Sequence, residues 1–302
     1  MTAVSNRTAI LAFLTLWGAC TGYLAATGAD WTFPIVSLVL FGGGFSALNL
    51  WLTRRWTPPE TPVANPRWEG VGLLAYLVLY AVVLVGWGLG AVKEAIPAGP
   101  AQELAVLAYK LAIHVGLPAL VVIGLGGAVR PLFTGVTGTP QRWWIALLLL
   151  CTLFAILLAV VSPSLAEIGT LGLAPAVAVA AALASWAWIS VEAGVCEEFL
   201  FRALIQTRLS AWLRSPAAAI CLTSVVFALS HWPGLYLRGG PGTDGWSTDP
   251  LQVAAFTIAT LAPLSLMLGV LWERTRSLLL VVLVHGAIDA LPNTAGFVRV
   301  WF

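Results

Sequence analysis

Charged residues are scarce in this chain. Of its 302 residues, 13 are acidic and 15 are basic, which is 9% charged, whereas 60% are hydrophobic. A soluble domain carries about 25% charged residues, and a disordered chain is poor in apolar residues, so both classes are excluded. A net charge of +2 offers no basic face, and nucleic acid is excluded as a partner. The composition therefore predicts an integral membrane protein whose surroundings are the lipid bilayer.

The motifs of zinc and redox sites are also missing. The four cysteines lie far apart within apolar runs, and the chain has no CxxC pair and no HExxH sequence. The apolar stretch around Cys20 continues to Ala26, and Trp17 stands where a lipoprotein signal usually has Leu. We therefore interpret this stretch as a retained first helix.

Long apolar runs dominate what is present, and they predict an all-α, polytopic transmembrane bundle of about eight or nine helices. The predicted spans lie at about 8–27, 32–52, 70–92, 104–125, 143–162, 173–201, 216–233, 251–272 and 277–293. With the N-terminus inside, the inner segments, counting Arg202 and Arg208 among them, collect 11 Lys or Arg residues and the outer segments three. This bias predicts a cytoplasmic N-terminus. The fourth span carries Lys110 and His114, and this polar stripe is typical of a helix partly at the membrane interface.

One predicted helix carries two adjacent carboxylates, and ionisable groups inside a span are functional candidates. Glu198 and Arg202 are four residues apart and share a helix face, so they can form an ion pair. Glu197 is rotated by about 100° from Glu198 and is free to face another group. Glu192 lies about 140° around the helix from Glu197, which places it outside the site. A juxtamembrane salt-bridge cluster at a helix end is the alternative for this segment.

Two histidines join the candidate site. His231 follows Phe227 by one helical turn, and Asp289 follows His285 by one turn. We interpret His114 as an ordinary core residue. If the helix with Glu197 runs to Leu213 and turns into the next helix, residues equally far from the turn face each other. This register places His231 level with Glu197 and Glu198.

Such a set of side chains supports two chemistries. A carboxylate can activate water while the histidines stabilise an oxyanion, or the set can ligate a divalent metal such as zinc that acidifies the water. The sequence does not choose between them, and no cofactor is assigned beyond this metal. The set considered for metal binding is Glu197, His231, His285 and Asp289.

The order of these motifs resembles a known family. EExxxR at residues 197–202, FxxxH at 227–231 and HxxxN/D at 285–289 occur on successive helices. This pattern is similar to that of the CPBP family of intramembrane proteases, which includes type II CAAX prenyl proteases and lysostaphin-resistance or bacteriocin-immunity proteins. The resemblance covers about residues 173–293. It divides the chain into additional N-terminal transmembrane helices at 1–170 and a protease core at 171–302, in the C-terminal half.

The resemblance implies an intramembrane endopeptidase, of glutamate type or metal-dependent, that acts on a membrane-associated protein or peptide. It implies a bacterial plasma membrane location. Glu197 would be the principal catalytic carboxylate, and His231 would join it in activating water or holding a metal. His285 with Asp289 would complete the site and stabilise the tetrahedral oxyanion. The supporting residues would be Glu198, Arg202 and Phe227. Where prenyl proteases have Asn the chain has Asp289, and a carboxylate does not donate a hydrogen bond, so we expect Asp289 to orient His285 or to bind a metal.

Three other interpretations remain open. Gly44 and Ser46 resemble the GxSx motif of rhomboid serine proteases, although a Gly-rich stretch in a span more often serves helix packing. An immunity or scaffolding protein would share the same motifs without proteolysis. A transporter with a buried Glu/His cluster is the third, but the sequence shows no inverted pair of broken helices.

Overall fold

The computed structural model describes residues 4–133 and 139–302 and is built from long helices. In this part of the chain, nine helices are long and apolar enough to cross a membrane. In chain order they are α1 Asn6–Ala26, α2 Thr32–Leu52, α3 Pro66–Ala95, α4 Pro100–Gly124, α5 Pro140–Val161, α6 Pro175–Leu213, α7 Pro216–Arg238, α8 Pro250–Thr275 and α9 Leu278–Trp301. A 3₁₀ turn at Arg130–Phe133 and a short helix at Ser164–Gly169 complete the described elements. The all-α, polytopic transmembrane bundle is confirmed, and the protein is an integral membrane protein.

The beginnings of the helices are set by local chemistry. Each helix from α3 to α8 starts at a proline, whose fixed φ and missing N–H suit the first helical position. The preceding side chain accepts a hydrogen bond from the first turn at α5, α7, α8 and α9, where the cap residues are Thr139, Ser215, Asp249 and Ser277. These caps satisfy backbone donors that the helix itself leaves free.

Helix α6 is the longest element and differs most from its predicted span. It continues to Leu213 rather than ending near residue 201, as the register argument required. Two π-helical segments, Ser190–Val195 and Phe199–Gln206, flank a short α-helical stretch at Cys196–Glu198. π-helical turns are rare and are frequently found at functional sites.

The core lies around α8, the most deeply buried helix of those described. α8 packs against α7, α1 and α2, whereas α9 packs against α6 and α5. Large apolar side chains on α1, α2 and α5 point outward, among them Leu11, Val39, Leu148 and Val160. A surface of this kind is suited to lipid rather than to water.

Two arginines that the sequence assigns to inner segments are buried instead. Arg202 and Arg208 have no solvent exposure, and each forms an ion pair within the bundle. Arg208 Nε lies 3.1 Å from Glu69 Oε2. A carboxylate on α3 and two backbone carbonyls accept the hydrogens of Arg208, and the count of inner basic residues did not predict this burial. Without these two arginines the inner segments still hold nine basic residues against three.

The Gly-rich stretch of α2 serves packing. A Cβ atom at Gly42 would lie 3.5 Å from Pro263 of α8, in ordinary contact distance. The Ser46 hydroxyl donates to the carbonyl of Phe41 on its own helix at 3.1 Å. Its contacts are those of a packed helix residue, and the motif residues of the Glu/His cluster lie elsewhere.

Candidate active site

Helix α6 presents its two adjacent carboxylates to different partners. Glu198 is fully buried, and its Oε1 accepts hydrogen bonds from Arg202 Nη1 at 3.0 Å and from His285 Nδ1 at 2.5 Å. The Glu198–Arg202 pair is the i,i+4 pair predicted from the sequence. Glu198 therefore ties α6 to α9 and fixes the ring of His285.

Glu197 faces both histidines. Its Oε2 lies 3.9 Å from His231 Nε2 and 3.8 Å from His285 Nε2. The Glu197 side chain is 14% exposed and that of His231 is 36% exposed, so both reach open space. A separation near 4 Å leaves room for a bridging water rather than a direct hydrogen bond.

The orientation of His231 is set by its own helix. Its Nδ1 lies 2.8 Å from the carbonyl oxygen of Phe227, one turn earlier. Because a carbonyl only accepts, Nδ1 carries a hydrogen, and in this tautomer of the imidazole Nε2 is the acceptor that faces Glu197.

His285 is surrounded by carboxylates. Its Nδ1 contacts Glu198, and its Nε2 lies 3.3 Å from Asp289 Oδ2 in addition to its contact with Glu197. Asp289 is one turn further along α9, and its side chain is 41% exposed. The structure thus brings Glu197, His231, His285 and Asp289 together, and their catalytic roles remain predictions.

Arg202 and Phe227 support this arrangement from behind. The Arg202 guanidinium carbon lies 4.5 Å from the centre of the Phe227 ring, and its Nη2 donates to Ser265 Oγ at 2.9 Å. The Phe227 ring also contacts the His231 ring, with centroids 4.7 Å apart. Arg202 is therefore held by a carboxylate, an aromatic face and a hydroxyl at once.

Two glycines permit the close contact between α6 and α9. A Cβ atom at Gly286 would lie 2.9 Å from Ser190 Cα, and one at Gly194 would lie 2.7 Å from the Val282 carbonyl oxygen. Both distances are shorter than real Cβ contacts. Glycine at these positions lets the helices approach until His285 reaches Glu198.

The depth of the site follows from the two helical hairpins. Thr207 lies six residues before the end of α6, and its hydroxyl accepts from Arg276 in the α8–α9 turn at 3.1 Å. The α6–α7 hairpin therefore extends about 9 Å beyond the α8–α9 turn. His285 lies closer to the α8–α9 turn than Glu197 and His231 lie to the α6–α7 turn. The offset compensates for this difference and brings the three side chains to one level.

A cavity of about 410 Å³ opens at the site. Glu197 and His231 form part of its wall. Most of the wall's surface is apolar, and its large apolar side chains are Val85, Leu89, Ile113, Leu235, Phe256 and Leu261. A peptide segment of a few residues fits such a volume. The carboxylate and the imidazole at the wall of this cavity are groups that can activate a water for hydrolysis of a bound amide.

Comparison with known protein families agrees with this geometry. Residues 178–291 match the family model described as "Rce1-like: Type II CAAX prenyl endopeptidase Rce1-like". Residues 178–291, the CAAX-type segment, are therefore similar to type II CAAX prenyl endopeptidases. No curated protein and no solved structure matches the chain significantly. All seven predicted site residues lie inside the CAAX-type segment.

Three polar residues of the cavity wall lie outside the CAAX-type segment, and the sequence did not assign them to the site. Tyr80 comes from α3, whereas Lys110 and His114 come from α4. Tyr80 Oη lies 2.7 Å from His114 Nε2, and His114 Nδ1 lies 2.8 Å from the Lys110 carbonyl oxygen. Lys110 Nζ donates to Glu192 of α6 at 2.7 Å. The polar stripe of α4 thus faces the bundle interior. In the sequence, the only sign of a role in the site was that these polar residues lie within a predicted span.

The donor set does not converge on a metal position. Carboxylate and imidazole would suit a divalent ion such as zinc, yet no group of three or more His, Cys, Asp or Glu residues in the described parts of the chain is arranged to hold one. His285 Nδ1 is hydrogen-bonded to Glu198, and His285 Nε2 lies between the carboxylates of Glu197 and Asp289. The metal-assisted mechanism stays a prediction, and we derive no step through a metal.

Proposed function

We propose that the protein is an intramembrane endopeptidase that cleaves a membrane-associated protein or peptide with a water molecule activated by Glu197 and His231. One observation carries this proposal. Glu197 Oε2 lies 3.9 Å from the free nitrogen of His231 at the wall of a mostly apolar cavity. A carboxylate in this position can hold a water and accept its proton.

The chemistry follows from the positions of the two side chains. The water donates one hydrogen to Glu197 and the other to His231 Nε2. As its oxygen attacks the substrate carbonyl carbon, Glu197 takes a proton and the carbonyl electron pair moves onto oxygen. Collapse of this intermediate breaks the C–N bond, and protonated Glu197 returns the proton to the departing amine. The carboxylate is thereby restored, and the products are an amine and a carboxylic acid.

His285, Asp289 and Glu198 act on the geometry of Glu197. The ring of His285 is fixed by Glu198, and its Nε2 lies 3.8 Å from the same Glu197 oxygen. Asp289 limits rotation of that ring from the other side. A carboxylate that is held in place loses less entropy when it binds water in the reactive position.

Cleavage by the purified protein in proteoliposomes tests the proposal. The substrates are internally quenched peptides ending in a CAAX sequence, in prenylated and unprenylated forms, with products identified by mass spectrometry. We expect cleavage by the wild type and its loss in Glu197→Ala, His231→Ala and His285→Ala, with native melting behaviour in the first two. Comparison of the two peptide forms shows whether the lipid is required, and the same assay with a chelator tests metal dependence.

The control variant is Ser46→Ala, which we expect to cleave like the wild type because Ser46 lies on α2 and bonds to its own helix. Loss of cleavage in Ser46→Ala would support a serine mechanism instead. A folded wild type that binds these peptides without cleaving them would support an immunity or scaffolding protein.

A further inference from the structure

The site as described lacks a donor for the oxyanion. Amide hydrolysis places negative charge on the substrate carbonyl oxygen, and donors aimed at that oxygen lower the barrier. Asp289 is a carboxylate and only accepts. Both nitrogens of His285 face carboxylates, at 2.5 Å from Glu198 and 3.3 Å from Asp289. In the described parts of the chain, neither His285 nor Asp289 forms part of the cavity wall, so another donor is needed.

Most other donors in the cavity wall are already engaged. The Ser230 hydroxyl donates to the Phe227 carbonyl at 2.7 Å, and the Thr257 hydroxyl donates to the Ala254 carbonyl at 3.0 Å. Their hydrogens are used within their own helices.

The Tyr80 hydroxyl is engaged as well. His114 Nδ1 carries a hydrogen toward the Lys110 carbonyl, so His114 Nε2 is the acceptor for Tyr80. Arg238 lies seven residues beyond His231 on α7, about 10 Å further along the helix, and donates to the Val85 and Gly86 carbonyls. Its guanidinium folds back to Gly234 on the same helix and is anchored on α3 and α7, and among the described hydrogen bonds none joins it to α6.

Lys110 differs from these groups because it has hydrogens to spare. Its ammonium carries three N–H donors, and one of them is used by Glu192 Oε1 at 2.7 Å. Its side chain lines the same cavity as Glu197 and is 12% exposed. The ion pair with Glu192 anchors the ammonium without exhausting it.

The π-helical turn of α6 explains why this residue is near the site. In an α-helix Glu192 would point about 140° away from Glu197. Residues 190–195 form a π-helix, whose i→i+5 hydrogen bonds make a wider turn with a smaller rotation per residue. This wider turn reduces the angle between Glu192 and Glu197, and Lys110, the partner of Glu192, lies in the cavity wall.

We propose that Lys110 is a catalytic residue that donates a hydrogen bond to the substrate carbonyl oxygen as it becomes the oxyanion. The inference rests on the proposed endopeptidase function and adds a residue from outside the family-matched segment. Water attacks the carbonyl carbon, its proton passes to Glu197, and the new O⁻ is held by the Lys110 ammonium. The proton that Glu197 took from water goes to the departing amine. Lys110 therefore keeps its own proton throughout.

The test compares kcat and KM of single variants on the quenched peptides in proteoliposomes. Removal of one oxyanion donor costs about 10² to 10³ in kcat, so Lys110→Met should lose this much with little change in KM. Lys110→Arg keeps the charge and donors, and we expect it to retain at least roughly a tenth of wild-type kcat. Lys93→Met is the matched control, since Lys93 is the chain's other lysine and is exposed; its kcat should equal that of the wild type.

A second variant addresses folding. Lys110→Met leaves Glu192 without its cation, whereas Lys110→Met with Glu192→Gln removes both charges and leaves none unpaired. The double variant should melt like the wild type and still lose kcat as strongly as Lys110→Met. Glu192→Gln alone should lose less than about tenfold, because the ammonium is still present.

Three results would contradict the proposal in distinguishable ways. Wild-type kcat in a folded double variant would remove Lys110 from the reaction and leave the endopeptidase function intact. Equal losses of kcat and melting temperature in Lys110→Met and Glu192→Gln, without rescue by Lys110→Arg, would make the ion pair structural only. No cleavage by the wild type would overturn the proposed function, and this inference with it.

Discussion

Glu198 is the residue on which the arrangement of the site depends most. One of its oxygens, with no solvent exposure, accepts from Arg202 at 3.0 Å and from His285 at 2.5 Å. Burial makes the charge costly, and only its partners compensate for that cost. Glu198 therefore holds the site together, whereas its neighbour Glu197 is exposed to the cavity.

Replacing Glu198 by Gln should destabilise the protein strongly. Arg202 would become a buried cation without a counter-charge, and breaking a buried pair from one side costs about 3–5 kcal/mol. Unfolding in detergent, followed by circular dichroism, measures the change. Glu167→Gln is the control, because Glu167 is exposed and its replacement should change stability by less than about 0.5 kcal/mol. Equal stability of the two variants would show that the charge of Glu198 is dispensable.

At this scale the sequence predicts contacts within a helix and misses those between helices. The Glu198–Arg202 pair follows from i,i+4 spacing alone. The Lys110–Glu192 pair joins residues 82 positions apart, and no periodicity connects them. Lys110 and His114 signalled only that their helix was not uniformly apolar.

At the scale of the helix, α6 departs from the regular geometry that sequence arguments assume. The 100° rotation per residue correctly separates Glu197 from Glu198, which lie in an α-helical stretch. The 140° angle for Glu192 assumes a regular α-helix, whereas Ser190–Val195 is π-helical, and the exclusion of Glu192 from the site stays a prediction. Hydropathy located all nine spans, yet it carries no signal for π-helical turns or for the continuation of α6 to Leu213.

The contact between α6 and α9 should depend on Gly286. An alanine methyl group there would lie 2.9 Å from Ser190 Cα, and this backbone atom cannot move aside alone. Overpacking of this kind costs about 1–3 kcal/mol, and separation of the helices would also pull His285 from Glu198. We therefore expect Gly286→Ala to lower both melting temperature and cleavage rate.

Gly296→Ala is the control on the same helix. No atom lies within 4 Å of the added methyl group, and alanine favours helix over glycine by roughly 0.5–1 kcal/mol. This variant should cleave normally and melt at the same or a higher temperature. A Gly286→Ala protein that behaves in the same way would disprove the close-contact role.

At the scale of the whole molecule, the N-terminal helices are part of the same bundle. α3 and α4 supply Tyr80, Lys110 and His114 to the cavity wall. Glu69 of α3 pairs with fully buried Arg208 of α6. The predicted division into residues 1–170 and 171–302 follows motif content, and it remains a prediction.

Removing the Glu69 carboxylate should destabilise the bundle far from the site. Glu69→Ala leaves Arg208 buried without a counter-charge, and we expect a loss of about 3–5 kcal/mol. The exposed Glu60 offers a matched control, and Glu60→Ala should be nearly neutral. Unfolding in detergent again measures both. A Glu69→Ala protein as stable as Glu60→Ala would show that the pair contributes little.

The most direct measurement is the turnover of wild type and Glu197→Gln on the same quenched peptides in proteoliposomes. Gln has nearly the shape of Glu but cannot accept the proton of water. If Glu197 is the general base, kcat should fall by roughly 10² to 10⁴ while the melting temperature stays unchanged. A Glu197→Gln protein that cleaves within twofold of the wild type would contradict water activation by Glu197.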